Sequence, residues 1–304
     1  MTVAFVLAGG GSLAATHVGM LRALTESGIQ PDLIVGTSAG AINAFQFATD
    51  PTEDGLNRLR DLWHGLRRKD VFPISARDIV AGLIGKRDGF VSPDRLRSFL
   101  LDQIGDVRLE DAKVPVHMVA TDLAEGEPVV ISHGPAITAL LASSAMPGVF
   151  PPVMLDGRAL IDGAVTADTP IRQAESLGAT ELYVLPTVAP KTPRQLPKGA
   201  LAVMIRAVDQ MFGHVVATDI ASARASVTVL PAPESTALTP FDFRSTDRVI
   251  EASYALTMSC LGRPVDLIAE PVPAARAFRL PQFVADATLR LRRSAAMPLP
   301  EALS

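Results

Sequence analysis

The sequence predicts an α/β fold, a three-layer α/β/α sandwich with a mainly parallel central sheet. Two observations carry that prediction. Apolar runs of strand length alternate with helix patterns, the order expected of a parallel sheet covered on both faces. Two of those runs end in glycine-rich turns, Gly9-Gly10-Gly11 and Gly36-Thr37-Ser38-Ala39-Gly40, and a helix pattern follows each. A chain of 304 residues that is 48% apolar, with mean hydropathy +0.28, has ample material for such a core.

The elements follow in order. Thr2–Ala8 is an apolar run leading into the first glycine turn, and the helix after it spans Leu13–Ser27, with Gly28 where a C-cap is expected. Asp32–Gly36 is the second strand and Ala39–Thr49 its helix. Residues 51–111 read as a helical insertion or lid between core elements, with helices at Thr52–Arg68 and Ser92–Ile104. Strands at Val114–Thr121 and Pro128–Ser132 precede a helix at Pro135–Ser144. Val153–Ile161 holds two apolar triplets around Asp156-Gly157, a hairpin turn signal. A helix at Pro170–Leu177 stops at Gly178; a strand at Glu181–Pro186, a helix at Lys198–Arg224 and a strand at Ser226–Leu230 complete the core domain, 1–232. Residues 233–304 form a helical C-terminal extension packing on that core, with helices at Ser245–Cys260 and Val272–Arg293.

Composition excludes several function classes. A net charge of −4 and a pI near 5.8 give no electrostatic case for nucleic acid. Cys260 is the single cysteine, so no intrachain disulfide forms, and no His/Cys cluster has ligand spacing, so neither metal nor cofactor is expected. The apolar run at Val3–Ala8 is too short for a signal peptide core and lacks a basic start. The uncharged stretches 33–49 and 134–155 are interrupted by Gly and polar residues or by prolines, so neither reads as a membrane span. A cytoplasmic protein, at most peripheral to the membrane, is expected. Trp63 with Arg67-Arg68-Lys69, the Ile79–Ile84 patch, and Arg290, Arg292 and Arg293 on the last helix would suit an anionic interface. The simpler reading of each is a solvated or core face.

Gly36-Thr37-Ser38-Ala39-Gly40 is a Gly-x-Ser-x-Gly nucleophile elbow in the strand–turn–helix context that this motif requires. The elbow sets Ser38 at the amino end of a helix, whose dipole stabilises a developing oxyanion. Gly36 and Gly40 leave room for the strained turn and close strand–helix approach. Gly9, Gly10, Gly11 and Ser12 lack the Gly-Lys-Ser/Thr of a nucleotide loop. Consecutive glycines let backbone N–H groups converge as an oxyanion hole, and a plain flexible turn is the alternative.

Ser38 needs a base, and five histidines are present. Asp162 then His214 satisfies the Ser, Asp, His order of an α/β-hydrolase, but that fold places its nucleophile after several strands, not after the second. His214 and His17 both lie within helix patterns. Asp162 ends an apolar strand and is followed at once by Gly163, which presents a carboxylate at a strand end. A desolvated carboxylate can deprotonate serine directly. An Asp-Gly pair is also an ordinary turn, as Asp156-Gly157 is.

Ala8-Gly-Gly-Gly-Ser12, Gly36-Thr-Ser-Ala-Gly40 and Asp162-Gly163-Ala164, in that order, resemble the three motifs of the patatin-like phospholipases. Ala120-Thr-Asp-Leu123, Ala142-Ser-Ser-Ala-Met-Pro-Gly-Val-Phe-Pro-Pro152 and Gly178-Ala179 agree with that family, and the resemblance covers residues 3–187. It implies an α/β/α fold and a metal-free Ser–Asp dyad that cleaves acyl esters of lipids. It makes Ser38 the nucleophile, Asp162 the general base and the Gly10–Ser12 N–H groups the oxyanion hole. Leu13 and Ala14 stand where the family loop continues with a basic residue and a glycine. The expected function is hydrolysis of a phospholipid, lysophospholipid or simpler acyl ester through an acyl-enzyme. Acyl transfer by the same dyad and a non-catalytic lipid-binding module are the alternatives.

Overall fold

The computed structural model describes residues 1–67, 71, 87–187, 199–233, 243 and 245–262. Arg68, Lys69, the Ile79–Ile84 patch and the arginines of the last expected helix lie outside the described residues. Residues Met1–Val272 form one compact unit, which includes a helix at Thr246–Cys260.

Among the described residues eight strands form a single sheet: β1 (Val3–Leu7), β2 (Leu33–Thr37), β3 (Val116–Asp122), β4 (Pro128–Ile131), β5 (Val153–Leu155), β6 (Arg158–Asp162), β7 (Glu181–Leu185) and β8 (Ser226–Val229). β1 pairs in parallel with β2 and β7, β2 with β3, and β7 with β8. These five strands are the parallel body of the sheet, while β4, β5 and β6 run antiparallel to their partners.

Both faces of the parallel body are covered, so its strands read as unbroken apolar runs rather than alternating ones. Phe5, Leu7 and Ile34 point into one core, with α1 (Thr16–Glu26) and α2 (Ala39–Thr49). Ala4, Val6, Leu33 and Val35 point into the other, against the helix at Ile171–Ser176. This is the expected three-layer arrangement.

The register brings two strand ends together. Met118 and Val119 pair with β4 on one flank of β3 and with Gly36 and Thr37 of β2 on the other. Ala120 and Thr121 again pair with β4, and on their other flank with Asp162 and Ile161 of β6. A strand residue has two lateral neighbours, so β2 and β6 lie along the same flank of β3, end to end. β2 runs with β3 and β6 against it, and their carboxyl ends therefore meet. Thr37 stands opposite Val119 and Asp162 opposite Ala120.

Local signals explain the flanking elements. The β5–β6 hairpin turns at Asp156 (φ 48) and Gly157 (φ 78), the left-handed pair of a tight hairpin turn. The helix α3 (Glu53–Gly65) starts at Thr52, whose side chain accepts the Gly55 N–H, with Glu53 and Asp54 in its first turn. The helix expected from Leu13 begins differently, because a 3-10 turn at Gly11–Ala15 precedes α1. The Thr246–Cys260 helix packs tightly on α1: Ser253 Oγ donates to the Thr16 carbonyl at 2.8 Å, and a Cβ on Gly19 would meet the Ile250 carbonyl oxygen at 2.1 Å.

Candidate active site

Ser38 sits between β2 and α2 with φ 55 and ψ −125, a strained backbone for a residue with a Cβ. Close packing holds it there. A Cβ on Gly40 would lie 2.4 Å from the Ala8 carbonyl oxygen and 2.5 Å from that of Leu7, so α2 starts in backbone contact with the end of β1. The Ser38 N–H donates to Ser143 Oγ at 2.9 Å, and that hydroxyl donates to the Val119 carbonyl at 2.6 Å.

Asp162, the last residue of β6, faces Ser38 where the two strands meet. Ser38 Oγ donates to Asp162 Oδ2 at 2.7 Å, and the Ala164 N–H donates to Oδ1 at 2.9 Å. Thr121 Oγ1 donates to the Asp162 carbonyl at 3.0 Å. The Asp162 N–H donates to the Ala145 carbonyl at 2.9 Å and the Gly163 N–H to that of Ser143 at 3.2 Å. Residues 143–145 therefore hold both halves of the pair. Asp162 is 3% exposed and Ser38 8%. Burial pushes the Asp162 carboxyl up to about 7, against the opposing pull of the Ala164 N–H and the Ser38 hydroxyl, and the charge of Asp168 pushes the same way as burial.

The glycine loop follows β1 beside this pair. Gly10 has φ 147 and Gly11 φ 58, conformations that L side chains rarely adopt. Thr187, just past β7, donates from Oγ1 to the Gly9 carbonyl at 2.8 Å. One expectation is corrected here. The Gly9 N–H donates to the Asp168 carbonyl at 2.9 Å, so it is not available to an oxyanion. Gly9 serves packing instead, since a Cβ there would meet Asp168 Oδ1 at 2.7 Å. The N–H groups of Gly10 and Gly11 have no partner among the described residues, and Ser12 is buried within the 3-10 turn that starts at Gly11.

A narrow apolar cavity opens on Ser38 and Gly11. Its walls are mainly apolar and include Ile42, Leu62, Trp63, Phe99 and Phe150. Trp63 does not serve as an interfacial anchor: it is 2% exposed, it stacks on Phe243, and its Nε1–H donates to Asn43 Oδ1 at 2.8 Å. The Asn43 amide also donates to the Ala14 carbonyl at 2.8 Å, which ties the cavity wall and α2 to the turn after the glycine loop.

The histidines stand apart from the pair. His17 is fully buried on α1, 3.2 Å from the Asn43 amide, and burial pushes it down to about 3, so it is neutral at pH 7. His214 is exposed on the helix at Ala200–Ser222. A His214→Ala variant is therefore expected to keep kcat/KM within about twofold of wild type, and an inactive but folded variant would require a Ser–His mechanism. Among the described residues no group of His, Cys, Asp and Glu could hold a metal ion, and no helix is long and apolar enough to cross a membrane.

Sequence reasoning placed Ser38, Asp162 and the glycines. It missed Ser143, Thr187 and Asp168, which meet Ser38 or the glycine loop from more than a hundred residues further along the chain. Ser143 alone carried a signal, as part of the Ala142–Pro152 stretch.

Comparison with known proteins gives the family. A family model described as patatin-like phospholipase matches residues 5–175. A putative patatin-like phospholipase domain-containing protein of Caenorhabditis elegans is 30% identical over 185 residues, covering 60% of this chain and 16% of that protein. An uncharacterized NTE family protein of Mycobacterium tuberculosis is 30% identical over 180 residues, covering 58% of this chain and 46% of the relative. The chain spans less than half the length of either curated relative. Among solved structures, VipD from Legionella pneumophila aligns over 86% of this chain and 66% of its own, with 13% identity and a TM-score of 0.43.

Proposed function

Because the chain belongs to the patatin-like phospholipase family, we propose that it is a serine acyl hydrolase acting on carboxylic esters of lipids through a Ser38–Asp162 dyad. The observation that carries this reading is the 2.7 Å hydrogen bond from Ser38 Oγ to a carboxylate desolvated enough to act as a base near neutral pH. Asp162 takes the Ser38 proton as Oγ attacks the ester carbonyl carbon. The negative charge that develops on the carbonyl oxygen meets the Gly10 and Gly11 N–H groups and the amino end of α2. Collapse of the tetrahedral intermediate expels the alcohol, which takes the proton from Asp162 and leaves an acyl-enzyme. Water then attacks the acyl carbon, again with Asp162 as base, and the proton returns to Ser38. The apolar cavity takes the acyl chain. Lysophospholipids, phospholipids and simpler acyl esters are the candidate substrates, with contact to a membrane surface peripheral.

A panel of medium- and long-chain lysophospholipids, diacyl phospholipids and simple acyl esters tests the reading. Hydrolysis is expected to favour a long acyl chain over an acetyl group, to vanish in Ser38→Ala, and to rise with pH to a plateau through a limb near pH 7. Equal hydrolysis by wild type and Ser38→Ala would reject it. Acyl products formed on added glycerol in place of free acid would favour acyl transfer.

A further inference from the structure

Beside the Ser38–Asp162 pair lies a second carboxylate that the proposed chemistry does not use. A point one bond out from the Gly9 Cα, where a Cβ would stand, is 2.7 Å from Asp168 Oδ1, 3.5 Å from Ser38 Cβ and 3.6 Å from Ala164 Cβ. Asp168 therefore faces the place where the nucleophile, the Asp162-Gly163-Ala164 turn and the glycine loop converge. Its carbonyl holds the Gly9 N–H at 2.9 Å. Asp168 is half-buried as a residue, yet its carboxyl is desolvated and is pushed up to about 6. Thr169 Oγ1, at 3.4 Å from Oδ2, is its described hydrogen-bond donor. The groups acting on the Asp162 carboxyl are the Ser38 hydroxyl, the Ala164 N–H and Asp168, and no described Lys, Arg or His pairs with either acid. His17, on α1, is neutral.

We infer that Asp168 is a positioning residue that acts electrostatically, its carboxylate raising the proton affinity of Asp162 so that the dyad base is strong enough to take the Ser38 proton. Two like charges near one buried site cannot ionise independently, and the second proton leaves with more difficulty. Once Asp168 is ionised, its charge holds the proton on Asp162. The arrangement exchanges activity at low pH for a stronger base at the plateau. This inference rests on Asp162 being the general base.

The test is the pH dependence of kcat/KM for a soluble acyl ester in wild type, Asp168→Asn and Asp168→Glu. The second-order rate of fluorophosphonate labelling over the same range gives a readout independent of turnover. Asp168→Asn keeps the shape and the main-chain bond to Gly9 but removes the charge. Its acid limb is expected about one pH unit lower, a tenfold change in proton affinity, with a plateau a few-fold lower. Asp168→Glu is expected to keep the limb within about 0.3 units of wild type. A limb that stays in place in Asp168→Asn, with any plateau, would overturn the inference, since a merely structural role lowers the plateau alone. If Asp168→Asn does not fold, Asp168→Ser is measured in its place, and failure of both to fold assigns the carboxylate to folding and also overturns it. Asp162→Asn separates the two levels. An active Asp162→Asn rejects the base assignment, whereas an inactive one beside an unmoved limb in Asp168→Asn rejects only the role given to Asp168.

Discussion

Asp162→Asn is expected to lower kcat by roughly 10³-fold or more while making the folded protein more stable above pH 7. Asparagine fills the same space and can still meet the Ser38 hydroxyl and the Ala164 N–H, which lie at 2.7 and 2.9 Å from the carboxylate. It cannot accept a proton, so Ser38 keeps its own. The stability change has a definite sign. Burial raises the folded-state pKa of Asp162 from its ordinary 3.8 to about 7, so the folded protein binds a proton that the unfolded chain has already released. Stability from this group is complete below the ordinary value of 3.8 and is lost as pH rises through about 7. At pH 8 the wild type carries a buried, ionised Asp162 that the variant lacks, and the variant is expected to be the more stable by roughly 1–3 kcal/mol. Near pH 4 the advantage should disappear. Thermal melts of both proteins across that range decide the point, and a variant less stable at pH 8 than at pH 4 relative to wild type would contradict the burial argument.

The second large effect is expected at Gly163→Ala. A Cβ there would stand 2.1 Å from the Val119 carbonyl oxygen and 3.1 Å from Thr37 Cγ2. The obstructing atom belongs to the backbone of β3, which is fixed by β2 on one flank and β4 on the other, so it cannot give way cheaply. The φ of Gly163 is −63, so the cost is steric rather than conformational. A loss of about 3 kcal/mol or more in urea denaturation is expected, together with loss of activity, because the same shift drags Asp162 from Ser38. Gly178→Ala is the contrast: nothing lies within 4 Å of its Cβ position, and only its φ of 92 opposes the change. It should cost about 1 kcal/mol and leave kcat unchanged. Equal stability of Gly163→Ala and wild type would show that the two strand ends do not meet as closely as described.

How much of this was legible in the chain follows the range of each interaction. Both glycine turns could be read because each is a local strand–turn–helix pattern whose geometry depends on its own few residues. The hairpin at Asp156-Gly157 was legible for the same reason, since its two left-handed residues are a local requirement. Asp162 could be found as a strand-end carboxylate, but its role came only from the family resemblance, because an Asp-Gly pair has no local mark separating base from turn. The meeting of β2 and β6 along one flank of β3 was not legible at all, being set by register between distant segments. Ser143, Thr187 and Asp168 reach Ser38 or the glycine loop from segments more than a hundred residues further along the chain, and only Ser143, within the Ala142–Pro152 stretch, had a sequence signal nearby. Trp63 was open to an interfacial reading because basic residues follow it, but the simpler core-face reading holds, since α3 turns its indole inward onto Asn43 and Phe243.

The central claim is that Ser38 becomes acylated with Asp162 as its base. Intact-mass spectrometry of wild type, Ser38→Ala and Asp162→Asn after brief exposure to a fluorophosphonate at pH 8, followed by peptide mapping, tests it most directly. One adduct on wild type is expected, mapped to Ser38, absent from Ser38→Ala and formed at least about a hundredfold more slowly in Asp162→Asn. An adduct on another residue, or labelling of Asp162→Asn at the wild-type rate, would contradict the account.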